Sequence, residues 1–97
     1  MINCSCNTTN IAHEGSQEYQ QLIDHLTEIS INTFNVESLY ICKYTGNLWL
    51  EYYEHFEQHG GGPATFKKIS KSDAEEKFYL TSKFWIKVKE YFGIDAR

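Results

Sequence analysis

Three consecutive glycines followed by the chain's one proline, Gly60-Gly61-Gly62-Pro63, constrain this chain more than any other feature. Glycine loses more conformational freedom on ordering than any other residue, so a fold that keeps three in a row needs a backbone path that side chains would block. The run sits inside a longer stretch, 45–70, that opens on a turn signal at Thr45-Gly46-Asn47. A dense apolar and aromatic segment, Leu48 to Tyr53, precedes the glycines, and strand-like residues return at Thr65 to Ile69. The rest of the chain is organised around this stretch, and functional residues are expected in it.

The chain has 97 residues, which predicts one domain over 1–97, with 1–15 as a frayed lead-in or a short strand. A chain of this size buries roughly 60–70% of its unfolded surface, enough for one modest core. The composition, 41% hydrophobic and 15% aromatic, places it away from disordered chains. No apolar run is long enough for a membrane helix, and no basic-then-apolar segment marks a signal peptide; the chain reads as cytoplasmic, with no membrane partner. Nine Lys and Arg stand against 13 Asp and Glu, a net charge of −4. That balance argues against direct binding of nucleic acid, which needs basic surface to neutralise phosphates, and suits a basic protein partner. Cys4, Cys6 and Cys42 are expected as reduced thiols, Cys42 in the core. Cys4-Ser5-Cys6 offers two soft ligands with no second pair to complete a tetrahedral site.

Ser16 fits a helix N-cap with acidic Glu18 in the first turn. Tyr19, Leu22, Ile23, Leu26 and Ile29 follow at amphipathic spacing, which predicts a helix over about 17–29. Residues 31–38 hold Asn32, Asn35 and Ser38 and read as turns. Leu39–Cys42 and Leu48–Tyr53 read as a hairpin. Alternation along the second strand divides Leu48, Leu50 and Tyr52, expected toward that helix, from Trp49, Glu51 and Tyr53 on the opposite face. Thr65–Ile69 is a third strand. Ser72-Asp73-Ala74-Glu75 matches a capping box, and an apolar stripe from Phe78 through Phe84, Trp85 and Val88 to Phe92 predicts a helical end, with a break near Thr81-Ser82 and Gly93 as its stop. The expected fold is α+β: a small antiparallel sheet of three or four strands packed against an N-terminal amphipathic helix and a helical C-terminal end.

Three chemistries are weighed against this frame. His55 and His59, with Glu51, Glu54 and Glu57 nearby, have the spacing of a helical metal site; but the segment leaves a strand and enters a glycine loop, so no metal is expected. His59-Gly60-Gly61-Gly62 has the look of an esterase oxyanion loop, yet no serine stands between glycines as a nucleophile elbow requires. No Gly-Lys-Ser or Gly-Lys-Thr follows the glycines, which removes a phosphate loop. No catalytic residue and no cofactor are expected.

Trp49, Tyr53, Glu57, the loop His59-Gly60-Gly61-Gly62-Pro63, then Phe66, Ile69 and Ser70 resemble a bacterial polymorphic-toxin immunity family with a Trp strand and a His-Gly-Gly-Gly-Pro loop, the Immunity protein 27 type. The resemblance covers about 39–80. The chain departs from the pattern at Thr45-Gly46-Asn47, at Glu54 and at Ala64. The resemblance implies a protein that binds the C-terminal domain of a cognate secreted toxin and neutralises it by occlusion, without catalysis. Many such toxins are nucleases with basic clefts, and the acidic charge fits them. Trp49, Glu51, Tyr53, Glu54 and Glu57 are the candidate toxin-binding residues, and a monomer is the expected state. Two other readings stay open: an interaction domain that uses the stripe around Phe84, Trp85 and Phe92, and a small metal-binding protein that uses His55 and His59.

Overall fold

The computed structural model describes residues 9–33, 36–53 and 64–96. Five strands and three helices follow one another along them: β1 (Ile11–His13), α1 (Gln17–Ile23), β2 (Leu26–Asn32), β3 (Glu37–Cys42), β4 (Leu48–Tyr53), β5 (Ala64–Ile69), α2 (Lys71–Phe78) and α3 (Ser82–Phe92). The strands form one antiparallel sheet in the order β1-β5-β4-β3-β2. The fold is α+β, as expected, with five strands among the described residues rather than three or four.

The added edge strand, β2, comes from a segment expected to be helix and turn. α1 begins as expected, with Ser16 Oγ accepting the Tyr19 N–H at 3.1 Å, but it stops at Ile23 and the chain enters β2 at Leu26. Leu26 and Ile29 continue the helical spacing, yet Thr27, Ile29 and Ile31 are β-branched and suit a pleated surface better than a helix. A helix of this length is marginal alone, and pairing with β3 decides the outcome. The ladder shifts register between Glu28 and Ser30. Alternation puts Leu26 into the core beneath α1 and Ile29 against the opposite layer, and the bulge then returns Ile31 to the face of Leu26, opposite Ser38.

Both faces of the sheet are covered. On one, Tyr19, Leu22 and Ile23 of α1 pack with Ala12, Leu26, Cys42, Trp49 and Phe66. On the other, Leu39, Ile41, Leu48 and Leu50 meet Ala74, Phe78, Trp85 and Val88 of α2 and α3. The alternation read along β4 therefore holds, but Leu48, Leu50 and Tyr52 face the C-terminal helices, not α1, and α1 covers Trp49. Alternation sorts side chains into two faces and carries no information about which helix covers each.

α2 starts two residues earlier than the capping box suggested. Ser70 is the N-cap, its Oγ accepting the Asp73 N–H at 3.1 Å. Tyr79 ends α2 in the left-handed region, φ 57°, which breaks the apolar stripe just before the expected position. Trp85 Nε1 then donates to Glu75 Oε2 at 2.7 Å and fastens α3 to α2. Lys77 pairs with Glu37 of β3 at 3.2 Å, and the Lys77 carbonyl accepts from Asn32 Nδ2. Gly93, φ 70°, stops α3 as expected.

Candidate functional site

The α1-side face of the sheet is crossed by two transverse rows of side chains. One runs Glu28–Tyr40–Trp49–Lys68 and the other Ile31–Ser38–Glu51–Phe66–Ala12, each step a cross-strand pair. Burial rises along the second row from Ile31, which is 59% exposed, to Phe66 and Ala12, which are enclosed. α1 closes over the Phe66 end, with Tyr19 at 5.3 Å and Tyr40 at 5.0 Å from the Phe66 ring. The β2–β3–β4 end keeps carboxylates and phenols at partial exposure.

Glu51 is the centre of that end. The Tyr40 hydroxyl donates toward its Oε1 at 3.5 Å, at the outer limit of a hydrogen bond. Partial burial raises the Glu51 carboxyl above the usual range, Glu28 and Glu14 raise it further, and the Tyr40 hydroxyl acts in the opposite direction. The tyrosines respond in turn. Burial first, then Glu51 and Glu28, pushes Tyr40 well above an ordinary phenol. Glu51 is the largest influence raising Tyr53, and burial followed by Glu14 raises Tyr19. All three phenols stay neutral at pH 7 and present hydroxyls beside negative charge. At the hairpin end, a cavity of about 360 Å³ is lined by Glu28, Ile31, Val36, Ser38, Glu51 and Tyr53 among others.

Of the residues expected to bind a partner, the structure brings Glu51 and Tyr53 together at this cavity. Trp49 shares their face but is fully buried. It is a core residue, with the Lys68 ammonium 5.5 Å from its ring centroid and no acceptor for its indole N–H among the described residues. Its role at a surface is indirect: it holds β4 in place. Glu54, Glu57 and the loop His59, Gly60, Gly61, Gly62 and Pro63 lie outside the described residues, as do His55, Cys4 and Cys6. Among the described residues, no three His, Cys, Asp or Glu side chains converge as a metal site would require, and no helix is long and apolar enough to cross a membrane.

Sequence reasoning missed Tyr40, Glu28, Glu14 and Tyr19. Tyr40 was within reach, because a hairpin over 39–53 sets it opposite Trp49. Glu28 was hidden by the helical reading of β2, which sent it to a solvent face. Glu14 and Tyr19 come near through the packing of α1, which no local pattern encodes.

A second cavity, about 540 Å³, lies between α2 and the sheet, lined by Asn32, Leu50, Lys67, Asp73, Lys77 and Tyr79 among others. Its charges are mixed, and Lys77 is committed to Glu37. Compared with protein-family models, with curated proteins and with solved structures, the chain matches none.

Proposed function

We propose that the chain is an immunity protein that acts in the cytoplasm as a monomer, binding the C-terminal domain of a cognate bacterial toxin and occluding its active site. The single observation that carries this reading is the acidic and aromatic end of the α1-side face, where Glu51 stands half-buried beside Tyr40 and Tyr53 with Glu28 and Glu14 close by. Half-burying Glu51 with other acids close by raises its carboxyl and costs stability, a cost that a cationic partner reverses. Neutral tyrosines beside them offer rigid, amphipathic anchors of the kind that dominate interfaces. A toxin with a basic cleft, such as a nuclease, complements both.

The alternative, an interaction domain that docks through the C-terminal stripe, is less well supported. Trp85 is buried, and Phe84 and Phe92 pack against the sheet-facing core, so the stripe is used within the chain. The test is growth rescue and co-purification with the product of the neighbouring reading frame. Rescue with a stable complex is the expected result; a harmless neighbour that does not bind removes the reading.

A further inference from the structure

The cavity at the β2–β3 hairpin end has a composition that selects its occupant. Ile31 and Val36, 59% and 47% exposed, form an apolar rim; Glu28, Glu51 and Tyr53 line it beside the polar Asn32, Thr33 and Ser38, and a third acid, Glu37, is already paired with Lys77. Its volume, about 360 Å³, is at the small end for a ligand site and suits one long side chain.

We infer that this cavity receives one arginine side chain from a protein partner, its stem along Ile31 and Val36 and its guanidinium between Glu28, Glu51 and the Tyr53 ring. The identity of the partner rests on the immunity reading; the chemistry of the pocket does not. An anion is repelled by the three carboxylates, and a neutral group leaves Glu28 and Glu51, the two without a lysine partner at the cavity, uncompensated. A lysine ammonium is strongly hydrated and makes no planar contact. The guanidinium is weakly hydrated, stacks on an aromatic ring and forks onto carboxylates, which matches Tyr53, Glu28 and Glu51.

The test uses the full chain labelled with nitrogen-15 and titrated with the peptide acetyl-Gly-Arg-Gly-amide, beside the same peptide carrying citrulline, which keeps the shape and loses the charge. The arginine peptide is expected to shift the backbone amides of Glu28, Val36, Ser38, Glu51 and Tyr53, with the shifts weakened by salt, and the citrulline peptide to move none of them. Glu28→Gln with Glu51→Gln should abolish the response in a protein whose spectrum remains folded; Glu28→Gln alone, at an exposed position, should reduce it and serves if the pair disturbs folding. Absence of shifts with arginine, equal shifts with citrulline or with a lysine peptide, or a response that survives the Gln variants overturns the inference. Shifts without growth rescue would leave the pocket standing and remove the toxin reading; rescue without shifts would do the reverse.

Discussion

Tyr40 and Glu51 stand diagonally across β3 and β4, the phenol oxygen 3.5 Å from Oε1; Glu51 helps raise the phenol, while the hydrogen bond from the phenol draws the burial-raised carboxyl back down. The hydroxyl is offered to the carboxylate, while burial and the two further acids, Glu28 and Glu14, make that carboxylate costly to keep charged. The pair is thus set up to interact more favourably with a cation than with water.

Stability should therefore depend on Glu51 in a definite direction. The native state holds the Glu51 proton more tightly than the unfolded chain, whose carboxyl titrates near 4.5. The residue's contribution is most favourable below that pH and is lost as pH rises through the raised native value. Glu51→Gln should melt at a higher temperature than the parent at pH 7, with the gain disappearing by about pH 4. Thermal melts followed by circular dichroism at the two pH values check this, and an equal gain at both excludes the ionisation as its cause.

The tyrosines should titrate late. Tyr40, Tyr53 and Tyr19 are all raised above 10, so near-ultraviolet absorbance should show a fraction of phenols ionising only well above that pH. Because the native state keeps these protons, stability falls as pH climbs past 10. In Glu51→Gln the Tyr40 step should move down, since one of its neighbouring negative charges is gone.

The Trp85–Glu75 hydrogen bond, 2.7 Å, should couple the last two helices. A double-mutant cycle of Trp85→Phe and Glu75→Ala, measured by urea unfolding, is expected to give about 1 kcal/mol of interaction energy. A cycle that sums to zero would show that this hydrogen bond contributes nothing to holding α3 on α2.

Gly46 and Gly15 should differ when changed to alanine. Both have positive φ, 81° and 89°, which costs about 1–2 kcal/mol for a residue with a Cβ. A Cβ at Gly46 also runs into the Asp95 carbonyl, whereas at Gly15 it meets open space. Gly46→Ala should be clearly the more destabilising of the two in chemical denaturation.

Charge reversal at the exposed positions Glu14 and Glu28 should slow association with the proposed toxin partner by about tenfold at low salt without lowering the melting temperature, since it relieves the repulsion on Glu51. Stopped-flow or biosensor kinetics at two salt concentrations would read this. An association rate insensitive to both the variant and the salt would remove electrostatic attraction from the mechanism.

Much of this architecture is legible in the residues themselves. The N-cap at Ser16, the strands around Tyr40 and Trp49, the strand ending at Ile69 and the stop at Gly93 all rest on local chemistry: a hydroxyl capping an amide, bulky residues in alternation, a glycine that tolerates left-handed backbone. Alternation alone placed Glu51 and Tyr53 on one face with Trp49. Only the tertiary structure decided that Leu26–Asn32 is a strand, because a seven-residue helix and a strand of β-branched residues differ little until β3 supplies a ladder of hydrogen bonds. It also decided that α1 covers Trp49 and that Glu14, Glu28 and Glu51 converge on three tyrosines. Such convergence joins residues far apart in the chain, and the burial and charge that give them their chemistry exist only once the layers have closed.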